Sequence, residues 1–149
     1  MQGKIEQIAR QRMGAGYNCC QAVLLAADEC FALALPPEVL TAGKLFGGGL
    51  KSGCICGALT GLVMAAGVLQ EKHPHPLADG LAAHLYKRFQ AEFGATCCRE
   101  LRRGMSLWNR MGNRSCRALT GAAARILCEL WAGTIPLRAG EEIPIAGDN

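Results

Sequence analysis

Aromatic side chains are scarce, at 5% of the 149 residues. The interior must therefore be filled by aliphatic and small side chains, which favours helices packed closely through alanine and glycine. No stretch alternates apolar and polar residues with the two-residue period of a half-buried strand, so no sheet is expected. The longest apolar run, Ile55 to Leu69, falls short of the roughly 18–20 residues that span a bilayer. Met1 to Arg12 is polar and lacks the apolar segment of an export signal, so the cytoplasm is the expected compartment. There is no C-x-x-C, which removes the usual zinc-ribbon and zinc-finger spacings, and no C-x-x-C-H for attached haem. Gly47 to Gly53 has no Gly-Lys-Ser/Thr ending, which rules out a Walker loop. A catalytic triad, internal repeat and interdomain linker are also missing.

Against these absences stand nine cysteines. Seven lie in four short groups: Cys19–Cys20, Cys54 and Cys56, Cys97–Cys98, and Cys116. Each group follows a residue that favours a helix start, namely Asn18, Ser52, Thr96 and Ser115. Such side chains accept hydrogen bonds from the free N–H groups of a first helical turn. A thiol just inside that cap meets the positive end of the helix dipole, which favours thiolate. Cys30 and Cys128 lie away from the expected caps and read as core packing.

Helical periodicity runs through the chain. Gln2 to Met13 predicts a short helix with Ile5, Ile8 and Ala9 on one side. Asn18, with Gln21 completing a capping box, starts a helix to about Leu33 that buries Val23, Leu24, Ala27 and Phe31. Pro37 suits the first turn of a short helix over Glu38–Leu45. A glycine-rich approach, Gly47-Gly48-Gly49 and Gly53, precedes a central helix from about Gly53 to Leu69. Gly53, Gly57, Gly61 and Ala65 form a small-residue stripe there, which admits a neighbouring helix or a bulky cofactor. His73-Pro74-His75-Pro76 predicts a rigid loop. Leu77 to Phe93 predicts a helix buried through Leu81, Leu85 and Phe89 and stopped by Gly94. Cys97 to about Arg103 and Ser115 to about Trp131 follow, the latter apolar at Leu119, Ala123, Ile126, Leu127 and Leu130. The expected class is all-α, one compact bundle of five to seven helices over residues 1–132, with an extended tail over 133–149 holding Pro136 and Pro144.

Several chemistries suit clustered thiols. An iron–sulfur cluster takes thiolates from separate elements, and helix starts and arginines offset its negative charge. Copper(I) tolerates adjacent cysteines, so a soft-metal carrier using all seven clustered thiols is an alternative. A metal-free dithiol–disulfide oxidoreductase is another, with its partner sulfurs on different helices because adjacent cysteines pair only with strain. A purely structural helical module is the bland alternative. Arg99, Arg102, Arg103, Arg110, Arg114 and Arg117 supply much of the formal charge of +4. They come with no aromatic platform or reading motif, so they read as a solvated face or counter-charge to thiolates, and nucleic acid is not expected. His73, His75 and His84 read as surface and helix-face residues. A homodimer would have the glycine-striped helix and the tail to build on.

Cys56-Gly57-Ala58-Leu59-Thr60-Gly61 brings a family into view. With Asn18-Cys19-Cys20-Gln21-Ala22-Val23-Leu24, the glycine-rich Phe46–Gly53, Cys98-Arg99-Glu100-Leu101 and Cys116, the pattern resembles the C_GCAxxG_C_C family of small redox-active proteins. By that resemblance the family cysteines fall on Cys19, Cys56, Cys98 and Cys116, with Cys20, Cys54 and Cys97 as neighbours of secondary rank. It implies a redox role with a protein redox partner and no defined reaction. A related domain joined to iron–sulfur and haem electron carriers points to a thiolate-held cluster, with Gly57 and Gly61 beside it.

Overall fold

The computed structural model describes residues 1–106 and 114–134. Within them the chain forms seven α-helices and no strand: α1 (Gln2–Gly14), α2 (Cys19–Phe31), α3 (Pro37–Ala42), α4 (Gly57–Lys72), α5 (Leu81–Phe93), α6 (Cys98–Arg103) and α7 (Arg114–Trp131). The all-α bundle expected from the sequence is the observed class. The tail residues 135–149 and Arg110 lie outside the described residues. No helix among the described residues is long and apolar enough to cross a membrane.

Local chemistry sets the helix ends. The Asn18 side chain accepts from the Gln21 N–H at 2.9 Å and the Gln21 side chain accepts from the Asn18 N–H at 3.3 Å, the expected capping box. Asn18 Nδ2 also donates to the Gly43 and Lys44 carbonyls, which ties the start of α2 to a 3-10 turn over Gly43–Phe46. Helix α2 stops where Ala32 turns left-handed at φ 50, and the Leu35 N–H is held by Asp28 Oδ1 at 3.0 Å. Gly94 ends α5 at φ 83, as its freedom from a Cβ allows.

Helix α2 is the central pillar, packed on α1, α4 and α7, while α5 covers another side of α4. The core is mainly Ala, Leu and Ile, with Ile5, Ile8 and Ala9 from α1, Val23, Leu24 and Ala27 from α2, Leu62 and Leu69 from α4, Leu85 and Phe89 from α5, and Ile126 and Leu127 from α7. These are the faces that the 3.6-residue period marks. Trp131 closes the bottom of the core: its indole N–H donates to the His73 carbonyl at 2.9 Å, and the His75 ring lies 5.0 Å from it. Both His75 ring nitrogens are engaged, by the Leu77 N–H and the Leu130 carbonyl. Arg125 joins α1, α5 and α7 through Glu6, Glu92 and Glu129, and Arg88 pairs with Glu129.

Three expected caps are not where the sequence pattern puts them. Helix α4 begins at Gly57 with Cys56 as its N-cap, and α6 begins at Cys98 with Cys97 as its N-cap; neither has a side-chain cap hydrogen bond. Ser52 instead sits in a π turn over Gly49–Gly53 and bonds the Leu50 carbonyl. Thr96 is occupied by Tyr86, with the two hydroxyls 3.3 Å apart. Ser115 lies inside α7. Gly53, at φ 71, belongs to the turn, so the α4 stripe starts at Gly57.

Candidate functional site

The first turn of α4 collects the cysteine groups because glycine removes the side chains that would keep its neighbours away. A Cβ on Gly57 would lie 3.2 Å from Cys19 Sγ and 3.0 Å from the Phe46 carbonyl. A Cβ on Gly61 would lie 2.6 Å from the Cys20 carbonyl oxygen and 2.9 Å from its Cα. The stripe thus admits the start of α2, backbone against backbone, and brings Cys19 beside Cys56.

The second approach is a short antiparallel bridge between Ile55 and Cys97. The Cys56 N–H donates to the Thr96 carbonyl at 2.8 Å, and the Cys98 N–H donates to the Cys54 carbonyl at 2.6 Å. This clamp fixes the start of α6 beside the start of α4. Gly49 backs it: a Cβ there would lie 2.7 Å from Cys54 backbone atoms and from Cys98 Cβ. Its φ of 59 belongs to a left-handed run that includes Gly48, Leu50 and Lys51. The glycine-rich approach is therefore a shaped wedge under the cysteines.

Electrostatics link the four cysteines of the family pattern. Burial, then the charges of Cys116 and Cys98, raise the Cys19 thiol above its ordinary value, against backbone N–H groups of Cys19 and Ala58. Burial, then Cys19, pushes Cys56 up to about 12, with the Ala58 and Leu59 N–H groups pulling the other way and Cys98 adding a small upward push. Cys116 is raised by burial, partly offset by Arg102, and raised further by Cys98. Charge on Cys116 or Cys98 would thus raise Cys19, charge on Cys19 or Cys98 would raise Cys56, and charge on Cys98 would raise Cys116. The two amides of the α4 first turn do favour thiolate, as the position at a helix start suggests. Burial outweighs them, so the expectation of activated thiolates at these helix starts is corrected: Cys19, Cys56 and Cys116 hold their protons more tightly than ordinary cysteines.

The remaining cysteines separate by environment. Cys20 is fully buried, with its sulfur 3.8 Å from Met64 Sδ, and burial pushes it up to about 11 despite a hydrogen bond from Thr60. Cys54 is exposed, while Cys97 is half-buried at the α6 cap. Cys128 is buried in the core as its position predicts, and Cys30 packs against the core half-buried. All nine are free thiols. Arg102 acts on Cys116 as the counter-charge that the arginine pattern suggested, whereas the particular amides, Ala58 and Leu59, depend on where α4 starts and leave no mark in a residue pattern.

No group of three or more His, Cys, Asp or Glu among the described residues is arranged to hold a metal ion. As they stand, the described sulfurs do not present the four thiolates that an iron–sulfur cluster takes. No curated protein and no solved structure was found to be similar to the chain. A family model described as "Putative redox-active protein (C_GCAxxG_C_C)" matches residues 17–130, from Tyr17 before the α2 cap to Leu130 near the end of α7. The match spans all four cysteine groups and the helices that gather them, and the chain belongs to the C_GCAxxG_C_C family.

Proposed function

We propose that this chain is a thiol redox protein whose working sulfurs are Cys19, Cys56, Cys98 and Cys116. The observation that carries the reading is the convergence of helix starts on one place. Cys19 Sγ would lie 3.2 Å from a Cβ on Gly57, next to Cys56. The Ile55–Cys97 bridge, with the Cys98 N–H on the Cys54 carbonyl, holds the start of α6 against the same turn, while charge on Cys116 would raise Cys19. Buried thiolates in such a group cannot coexist cheaply. Protons relieve the repulsion in the reduced state, and a sulfur–sulfur bond relieves it in the oxidised state. The step is thiol–disulfide exchange with a partner. One thiolate attacks the partner disulfide, a second site thiol displaces the partner, and the chain keeps the new disulfide while the partner leaves with two thiols. Two electrons and two protons pass to the partner.

A redox titration of the anaerobically purified chain in dithiol–disulfide buffers, read by mass after alkylation, tests this. The expected result is one reversible two-electron couple that maps to two of the four cysteines and vanishes when all four become serine. Four thiols that stay reduced at every poise would overturn the reading. The alternative is an iron–sulfur cluster or bound copper for electron transfer or redox sensing. What favours it is the convergence of the sulfurs from separate elements, together with the Ala58 N–H facing both Cys19 and Cys56. It requires the four sulfurs to move together on binding. Iron, sulfide, copper and zinc analysis of the same preparation separates the two: a fixed iron-to-sulfide ratio supports the cluster, and a metal-free active protein supports the dithiol.

A further inference from the structure

Charge is unevenly distributed over this molecule. From Val39 to Gln70 there is no acidic residue, and from Phe93 to Cys128 Glu100 stands alone. These stretches contain the turns, the bridge and α6 that build the cysteine face. The acidic side chains that form ion pairs lie elsewhere, with Glu6, Glu29, Glu92 and Glu129 serving Arg10, Arg12, Arg88 and Arg125. Among the described residues no ion pair involves Lys44, Lys51 or Arg99.

The same face holds exposed apolar groups that the bundle leaves uncovered. Leu45 is 81% exposed, Leu50 46% and Ile55 41%. They are neighbours in the fold: the Gly43–Phe46 turn packs on the Gly49–Gly53 turn, which packs on α6. Ile55 sits in the bridge to Cys97, and Arg99 donates to the Ser52 carbonyl at 3.0 Å across the same junction. Leu50 and Lys51 are also held left-handed, at φ 61 and φ 55, a conformation that side chains other than glycine rarely adopt. A strained turn that presents an apolar and a cationic side chain to solvent, next to an exposed Cys54, is the kind of outlier that accumulates at functional sites.

We propose that this face docks an acidic protein partner, with Leu45, Leu50 and Ile55 as the apolar centre and Lys44, Lys51 and Arg99 as the cationic rim. Charge complementarity selects the partner. A second copy of the chain would oppose like charge to like charge, which penalises self-association through this face. The apolar centre favours a protein over a bare polyanion, because sugar–phosphate and headgroup surfaces give Leu45 and Ile55 nothing to bury against. The inference rests on the thiol-redox reading only in making that partner one that exchanges electrons with the chain.

The test is fluorescence anisotropy of the full chain, under reducing conditions, with a labelled Glu-Glu-Leu-Phe-Leu-Glu-Glu peptide as the probe. Binding is expected to weaken about tenfold with serines in place of the three apolar peptide residues, about tenfold for Leu45→Ser, and about tenfold for Lys44→Glu with Lys51→Glu. It is also expected to fall with added salt. Leu45 is exposed enough that its replacement leaves the fold intact, which circular dichroism checks, so Leu45→Ser decides even if the charge reversal unfolds the chain. Equal binding of the serine peptide, or no loss in Leu45→Ser, would overturn the proposal. So would tighter binding of duplex DNA or phosphatidylserine vesicles with the same dependence on Leu45, or a dimer in sedimentation that Leu45→Ser dissolves. Peptide docking needs no thiol chemistry. Docking without a two-electron couple removes the redox reading alone, and the couple without docking removes this inference alone.

Discussion

Replacing Gly61 by alanine tests the contact on which the whole cysteine arrangement hangs. The added Cβ would lie 2.6 Å from the Cys20 carbonyl oxygen, 2.9 Å from its Cα and 3.2 Å from its carbonyl carbon. All three are backbone atoms of α2, so no side chain can rotate away, and α2 and α4 must separate. Overpacking of this kind costs about 1–3 kcal/mol, and backbone neighbours put Gly61 at the upper end. Removing a mid-helix glycine returns about 0.5–1 kcal/mol. The net expectation is a loss of about 2 kcal/mol. Gly67 supplies the control, since it lies in the same helix, is exposed, and has nothing within 4 Å of an added Cβ. Gly67→Ala should gain about 0.5–1 kcal/mol, so the two variants should differ by about 3 kcal/mol. Denaturant midpoints at unchanged slope measure the difference. A Gly61→Ala midpoint at or above that of the parent chain would refute the claim that α2 and α4 meet backbone to backbone.

Other outcomes follow from the thiol environments. Cys20, Cys56 and Cys128 keep their protons to about 11, 12 and 12 in the fold, against 9.0 for an ordinary thiol. Their contribution to stability is therefore complete below 9.0 and is lost as pH rises from there through 11 to 12, because only the unfolded chain gives up these protons. Denaturation midpoints should fall over that window and fall less steeply in Cys56→Ser; an equally steep fall would contradict the assignment. In alkylation at neutral pH, exposed Cys54 should be labelled well before Cys56, whose thiolate fraction is lowered about a thousandfold by its raised pKa. Peptide mapping that finds Cys56 among the first labelled sites would contradict its burial. Ala32 occupies the left-handed position that ends α2, at φ 50, so Ala32→Gly should stabilise the chain by about 0.5–1 kcal/mol in the same midpoint assay.

The bundle was largely legible because its faces are periodic. Ile5, Ile8 and Ala9, or Leu81, Leu85 and Phe89, fall on one side of their helices by spacing alone, and the structure buries all of them. The α2 start was legible because Asn18 and Gln21 form a two-residue device that acts within one turn. The starts of α4 and α6 were not. Ser52 and Thr96 have the right chemistry for caps, but the Ile55–Cys97 bridge draws the intervening chain straight, moving each helix start past its expected cap. Such pairing joins residues more than forty positions apart, and no local pattern reports it. The role of Gly49 was hidden for the same reason, since what its Cβ would strike includes Cys98.

The ionisation of the sulfurs turns on a comparison of magnitudes. A charge at a helix terminus gains about 0.3–1 kcal/mol from the macrodipole, which is less than one unit of pKa. Burial and the neighbouring thiolates lift Cys56 from 9.0 to about 12, a penalty of about 4 kcal/mol on its charged form. The amides of Ala58 and Leu59 recover only part of that. A helix start can activate a cysteine when the sulfur is solvated, and here the close approach of α2 to α4 that gathers Cys19 and Cys56 is what removes the water. Convergence and activation therefore work against each other at this centre. Only an event that takes away negative charge, by protonation, by a sulfur–sulfur bond or by a bound cation, relieves the repulsion that charged sulfurs at Cys19, Cys56 and Cys116 would meet.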